Sequence, residues 1–314
     1  MSALLAIGVS PAELPPFTVG ALFTQSAIDP LLVTGVVLVA ALYLIGVERL
    51  RRGGVRWPLG RTLSFIVGGL GTLSLVTMTG IGAYDETLFS VHMVQHMVLV
   101  MVTPIFLALG APVTLALRAL PKGGRRRLTA VLHWKIARIY MHPLVGFLLF
   151  IGSPWLLYFT GWYESALENV WLHELLHVHF LATGCIFFWP LVGLDPIPGR
   201  VGYPFRILIM FATMPFHAFL GLTIMQYSTL LAGGYYGRLN LPWSDPYSDQ
   251  NVGGGLLWAS GEFIGLLMVG AALFQWMRAS EREAIREDRR LDREEALRAR
   301  AEPTATPGQP APGE

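Results

Sequence analysis

The sequence predicts an all-α, polytopic membrane protein: a bundle of seven transmembrane helices with the N-terminus outside and the C-terminus in the cytoplasm. Of its 314 residues, 53% are hydrophobic and only 14% are charged, whereas a soluble domain carries about a quarter charged residues. Several apolar runs reach the roughly 20 residues that a helix needs to cross a bilayer. Basic residues are concentrated in alternate loops, which is typical of a polytopic chain.

Residues 1–30 form a predicted extracytoplasmic lead-in. Its apolar stretch, Ala3 to Val9, follows no basic region and is too short for a signal-peptide core. We therefore expect this segment to be uncleaved and loosely ordered. The membrane domain is predicted over residues 31–277, with helices over 31–48, 62–82, 88–110, 144–162, 171–192, 204–228 and 254–277.

The loops between these helices predict the orientation. Fourteen basic residues lie in the loops after the first, third and fifth helices, and the opposite side holds only Arg238. Because basic loops stay in the cytoplasm, the N-terminus is expected outside. An eighth span would break this alternation.

The C-terminal part is predicted to leave the membrane. Residues 278–302 contain eight basic and eight acidic residues, which indicates a solvated, charged cytoplasmic helix. Residues 303–314 are rich in proline and are expected to be disordered. We interpret this tail as solubilising rather than as a docking segment.

The polar residues inside the spans are the candidates for function. The single cysteine, Cys185, excludes an intramolecular disulfide and a Cys-x-x-Cys metal site. Of the eight histidines, His133 and His142 fall in a basic loop and are assigned no chemistry. The others lie at membrane depth, where ionisable side chains are costly and point to function.

Depth along the helices brings four of these histidines together. At about 1.5 Å per residue, His92 and His173 lie about 5–6 Å from the outer helix ends, and His96 and His177 about 11–12 Å. Each pair has i,i+4 spacing and so shares one helix face. His179 lies about 200° around the helix from His177, and we interpret it as a packing residue.

Two further helices contribute to the same outer layer. On the same scale His217 is about 16 Å deep, Glu262 about 12 Å and Met225 about 5 Å. These depths predict a metal site in the outer half of the membrane. Glu262 is expected to be a ligand, a residue that orients an imidazole, or a proton acceptor.

The chemistry of the donors favours copper. Met93 and Met97 accompany the histidines of the third helix, and thioether with imidazole suits copper, Cu(I) especially. The predicted metal ligands are His92, His96, His173, His177, His217, Glu262, Met93, Met97 and Met225. At the outer mouth, Asp85, Glu86 and Asp249 could attract a cation, but we interpret them as solvated loop residues.

Two other functional classes stay open. The stretch "HELLH" fits the zinc-protease pattern, with His173 and His177 as ligands and Glu174 as general base. A protease would leave His92 and His96 unused, and we expect Glu174 not to be catalytic. The second alternative is a haem-binding electron carrier, in which facing histidines of the third and fifth helices ligate iron.

A family resemblance adds to these expectations. The stretch "YDETLFSVHMVQHMVLVMVTPIFLALGAP" (84–112) resembles the signature of the multi-pass CtaG family of bacterial cytochrome c oxidase assembly factors. The likeness continues through "WLHELLHVHFLATGCIFFWPLVGLDPIP" (171–198), "MPFHAFLGLTIM" (214–225) and "DQNVGGGLLWASGEF" (249–263). It covers residues 31–277 and matches at the polar positions.

The resemblance implies a seven-helix fold and a role in assembling the copper centres of haem–copper oxidases. We therefore expect a non-enzymatic copper metallochaperone in the bacterial inner membrane. Its expected partners are cytochrome c oxidase subunits and membrane lipid, with a periplasmic copper donor as a further candidate and no nucleic acid.

Overall fold

The structure, a computed structural model, describes residues 10–301 and the side chains of residues 10–298. All regular elements of this part of the chain are helices, which confirms the predicted all-α class. The apolar stretch 3–9 and the proline-rich tail 303–314 lie outside the described residues. The principal helices are α1 (Pro30–Arg52), α2 (Leu59–Met78), α3 (Phe89–Ala119), α4 (Pro143–Tyr158), α5 (Val170–Val192), α6 (Tyr203–Gln226) and α7 (Pro246–Ala301).

Six of these helices are long and apolar enough to cross a membrane, and α4 completes a seventh span if its bent continuation is included. Beyond α4 the chain turns by 72° into the short helix Trp162–Glu168. A single helix was predicted over 144–162, but the sequence Phe-Thr-Gly at 159–161 interrupts it. The polytopic architecture is confirmed, and the orientation of the termini stays a prediction.

The chain divides into one compact unit that ends at Val269 and a second that begins at Gly270. In the second unit α7 continues as an exposed helix, on which Arg290 forms ion pairs with Glu287 and Glu294, each at 3.2 Å. Such i,i+3 and i,i+4 pairs stabilise a solvated helix by a few tenths of a kcal/mol each, about 0.2–0.5.

Two helix ends differ from the predicted bounds and affect the site. α2 ends at Met78 because Thr79 is extended and caps a new short helix, Gly80–Tyr84. α7 begins at Pro246, two turns before the predicted start, where Asp245 accepts a hydrogen bond from the backbone N–H of Ser248 at 2.8 Å. Proline is favoured in the first turn of a helix, which explains the earlier start.

Small residues let α3 and α5 approach closely. Pro104 lacks the N–H that would bond the carbonyl of Val100, and residues Val98–Val102 form a π-helical segment there. A Cβ atom at Gly184 of α5 would lie 2.1 Å from that carbonyl oxygen, so only glycine fits. This contact sets the histidine-bearing parts of α3 and α5 side by side.

Residues 10–29 do not behave as the loosely ordered lead-in that we expected. Leu14, Ala21 and Ala27 are buried in a cluster with Tyr84 and Leu88. The Tyr84 hydroxyl donates to the carbonyl of Pro15 at 2.8 Å. The N-terminal segment therefore covers the connection between α2 and α3 and removes its polar residues from solvent.

Candidate metal centre

Three side chains bring ligand atoms together at the end of the bundle where α3 and α5 begin. One carboxylate oxygen of Asp85 and one ring nitrogen each of His173 and His177 all lie within 4.8 Å of one another. Asp85 comes from the connection between α2 and α3, and the histidines come from the first two turns of α5. Asn169 begins α5 by accepting hydrogen bonds from the N–H groups of Trp171 and Leu172, which fixes the helix that presents both imidazoles.

The two ring nitrogens of His173 have different surroundings. Its Nδ1 lies 2.8 Å from Glu86 Oε1, while its Nε2 lies 3.6 Å from Asp85 Oδ2. The carboxylate of Glu86 can only accept, so Nδ1 carries a proton, and Nε2 is the ring nitrogen turned to Asp85. Nε2 is buried and has no hydrogen-bond partner in the described part of the chain. A carboxylate behind an imidazole in this way orients metal-binding histidines.

His177 faces acceptors at both ring nitrogens. Nε2 lies 3.2 Å from Asp85 Oδ2 and 2.9 Å from Gln95 Oε1, and Nδ1 lies 3.7 Å from Glu174 Oε2. The Gln95 amide nitrogen donates to the Val76 carbonyl, so its oxygen is the atom turned to His177. The two acceptors at Nε2 place a proton on that nitrogen. A metal at Nε2 would replace a proton there.

Asp85 stays ionised although it is only 2% exposed. Burial by itself would raise the pKa of this carboxyl, but the charges of His173 and His177 and the hydrogen bond from His177 outweigh it and hold the pKa below its ordinary value. The attraction between the Asp85 carboxylate and its two histidine partners is therefore present at neutral pH. It is lost only as the pH falls through the lowered pKa of Asp85.

The histidines of α3 are joined by one tyrosine of α4. The Tyr158 hydroxyl lies 2.6 Å from His96 Nδ1 and 3.2 Å from His92 Nε2. If Tyr158 donates at the shorter contact, it accepts from His92 Nε2, and His92 Nδ1 keeps a lone pair. His92 Nδ1 is buried without a hydrogen-bond partner among residues 10–298, and a buried N–H without an acceptor is rarer than a free lone pair.

Four of the predicted ligands therefore lie together. The ring centroids are 4.7 Å apart for His173 and His177, 6.5 Å for His92 and His96, and 6.4 Å for His92 and His173. His96 lies to one side and stacks on Phe180 at 4.0 Å. Of the two histidines whose ligand atoms approach Asp85, His173 belongs to the shallower predicted pair and His177 to the deeper pair.

Two predicted ligands lie apart from this group. His217 Nδ1 lies 3.2 Å from the carbonyl of Thr213, and the ring lies beside Phe150. Gly261 is the residue of α7 that lies against His217, so Glu262 is turned about 100° away from it. Because α7 begins at Pro246, Glu262 is also about 24 Å from the helix start rather than 12 Å.

The predicted thioethers take part in helix contacts. Met93 is fully buried and lies against Gly253 of α7, and Met225 lies against Gly254. Met97 is 3% exposed. Their role as ligands stays a prediction.

The interpretation of the acidic residues as solvated loop residues is wrong for Asp85 and Glu86. They are 2% and 6% exposed, and both contact His173. Asp249 is half-buried and accepts hydrogen bonds from the backbone N–H of Ser90, at 3.3 Å, and from its hydroxyl. One sequence signal was available: Asp85 and Glu86 are the only acidic residues between Glu48 and Glu164.

Glu174 lies at the edge of the group, and its carboxylate faces His177. A cavity of about 20 Å³ adjoins Asp85, Glu86, His173, Glu174 and His177. That volume has room for about one water molecule or an ion, and no porphyrin fits in it. The geometry therefore favours a metal ion over haem.

The comparisons with known proteins agree with this architecture. The sequence profile of the family described as "cytochrome c oxidase caa3 assembly factor (Caa3_CtaG)" matches residues 41–279. Uncharacterised proteins of Mycobacterium bovis and Mycobacterium tuberculosis are each 40% identical over 289 residues, covering 89% of this chain and 44% of the relative. One of Mycobacterium leprae is 38% identical over the same shares.

The chain thus spans less than half the length of the curated relatives it matches. No solved structure matches it. The family profile covers three quarters of the chain, including all seven helices in whole or in part and the whole histidine group. The chain belongs to the family of cytochrome c oxidase caa3 assembly factors (CtaG).

Proposed function

We propose that this chain is a non-enzymatic assembly factor that takes up copper at Asp85, His173 and His177 and passes it to a maturing cytochrome c oxidase. The observation that supports this most is the convergence of three ligand atoms within 4.8 Å, with Glu86 and Glu174 behind the two imidazoles. Copper is the cargo here, and the protein's task is to hold it and release it.

The donor set suits a transferable copper ion. Two imidazoles and a carboxylate bind Cu(II) more strongly than other divalent ions of the first transition row. Cys185 is not part of the group, so no thiolate strengthens the binding. His92 Nδ1, the second unpartnered buried nitrogen, is the candidate fourth ligand. Because binding displaces a proton from His177, a return of protons favours release.

The zinc-protease alternative is less well supported by the same geometry. A general base must reach a water molecule on the metal, whereas Glu174 lies 3.7 Å from Nδ1 of His177, on the side of the ring away from Asp85. This position suits a carboxylate that orients an imidazole.

The cellular setting follows from the predicted orientation. The basic loops lie at the opposite end of the bundle from the candidate metal centre. Because basic loops stay in the cytoplasm, the metal centre would lie at the outer face of the bacterial inner membrane. Copper would then arrive from the periplasm, either free or from a donor protein. The oxidase, a membrane complex, would receive it in the same bilayer.

The test is a metal titration of the purified protein in detergent. We expect copper to bind with a stoichiometry near one, and His173→Ala/His177→Ala to lower the affinity at least about 100-fold. The matched control is His133→Ala/His142→Ala, which removes two imidazoles of the loop between α3 and α4. Equal affinity in the two double variants would contradict the site. If the protein retains zinc in preference to copper, the proposal that copper is the bound metal is contradicted.

A further inference from the structure

An apolar groove lies on the other side of the helices that carry the candidate metal centre. α4, the short helix Trp162–Glu168 and α5 enclose it, and its volume is about 680 Å³. The bend of 72° after α4 brings this short helix to the groove, where Trp162, Ser165 and Ala166 line it. Leucines of α4 and α5 supply most of the lining, and Gly152 leaves a gap in one wall.

One polar ring faces this groove. His179 lines it and is partly exposed there, with its ring centroid 6.2 Å from that of Phe180. None of the hydrogen bonds described for residues 10–298 involves its side chain. It lies about 14 Å along α5 from Val170, near the middle of the helix. At that depth an unpaired imidazole is costly. The role of His179 as a packing residue stays a prediction, and no hydrogen bond of the described residues supports it.

We propose that this groove is the docking site for one transmembrane helix of a cytochrome c oxidase subunit, which supplies a hydrogen-bonding side chain to His179. Acyl chains of lipid would fill the apolar walls, but lipid headgroups lie about 15 Å away at the membrane surface and cannot reach the ring. A helix with one polar side chain near its midpoint satisfies both the walls and the imidazole, as polar residues do between packed membrane helices.

The groove and the metal centre share their supporting helices, and the inference rests on the proposed function in this respect. Leu157 lines the groove, and the hydroxyl of its neighbour Tyr158 lies within hydrogen-bond distance of His92 and His96 of α3. Leu176 lines the groove, and its neighbour His177 belongs to the metal centre. A helix seated in the groove would thus contact α5, which carries His173 and His177, and α4, which carries Tyr158.

The test fills the groove without disturbing the chain itself. A Cβ atom at Gly152 meets no atom within 4 Å, so Gly152→Leu extends a side chain into open groove space. Gly35 of α1 is the matched control, because a Cβ atom there also meets nothing within 4 Å. Both changes add the same side chain to an apolar helix, and only one of them lies in the groove.

The measurement is photo-crosslinking in membranes of cells that produce the chain with its own oxidase. A photoreactive phenylalanine derivative replaces Leu156, a groove residue that is 60% exposed, and adducts are identified by mass spectrometry. We expect an adduct with a membrane-spanning oxidase subunit, reduced at least about fivefold by Gly152→Leu and by His179→Phe, and unchanged by Gly35→Leu.

The outcomes separate this inference from the proposed function. Copper stoichiometry of purified Gly152→Leu should equal that of the parent protein. Oxidase adducts that persist in Gly152→Leu would overturn the groove and leave the copper site intact. Adducts with lipid alone, or with no oxidase subunit in the parent protein, would also overturn it. If the purified parent protein does not bind copper, only the proposed function is contradicted.

Discussion

Asp85 and Asp195 are two buried aspartates of one bundle, and they differ in what surrounds them. Asp195 is fully buried and accepts hydrogen bonds from the backbone N–H groups of Val113 and Thr114, the Thr114 hydroxyl and the Trp189 indole, at 2.6–3.2 Å. Asp85 is 2% exposed and faces two imidazoles, His173 and His177.

The two aspartates differ in whether their hydrogen-bond donors can lose a proton near neutral pH. Amide, hydroxyl and indole donors keep their protons at any physiological pH, so Asp195 is satisfied without a ligand. Imidazoles exchange protons near neutral pH, so the environment of Asp85 can accept a metal ion in place of a proton. Burial alone thus does not distinguish a structural carboxylate from a functional one, whereas its donors do.

The largest effect should come from removing the structural carboxylate. Asp195→Ala leaves half-buried donors at the start of the last segment of α3, Pro112–Ala119, without an acceptor, which should lower the free energy of unfolding by about 3 kcal/mol or more. Thermal unfolding in detergent, followed by tryptophan fluorescence, measures this. An unfolding midpoint within one degree of the parent protein would remove Asp195 from this structural role.

The carboxylate of the proposed copper site should show the reverse pattern. Asp85→Asn keeps the shape and removes the charge, so copper affinity should fall about 100-fold, while the unfolding midpoint of the metal-free protein changes less than in Asp195→Ala. Competition with a copper chelator measures the affinity. If Asp85→Asn binds copper like the parent protein, the two aspartates are alike and the proposed site is misplaced.

The smallest effect is expected at a third aspartate, at the same end of the bundle as Asp85. Asp249 accepts hydrogen bonds from Ser90 and contacts no histidine among its described hydrogen bonds and ion pairs. Asp249→Asn keeps an acceptor oxygen, so stability should change by less than about 1 kcal/mol and copper affinity by less than twofold. A larger loss of affinity would show that charge near the mouth, and not direct contact, controls copper binding.

The fold was predictable from the sequence where it depends on local periodicity and hydrophobicity. Apolar runs give the seven helices because a span must satisfy its own backbone hydrogen bonds in lipid. The i,i+4 spacing places His92 with His96, and His173 with His177, on common faces because the pitch of a helix is fixed. The helix ends at Met78 and Pro246 were missed, since one proline or threonine moves a boundary by a turn or two.

Tertiary contacts decided the composition of the candidate site. The sequence determined that histidines of two helices share a depth, and it offered Asp85 and Glu86 as the only acids in that part of the chain. Only the folded chain shows that residues 10–29 pack against Tyr84 and Leu88, which flank these acids, and that glycine at position 184 lets α5 approach α3 closely. The rotation of α7 about its axis places Gly261 against His217, so Glu262 points to another side of the helix. Such contacts join residues far apart along the chain, so no local pattern encodes them, whereas helix pitch and hydrophobic length are properties of each segment by itself.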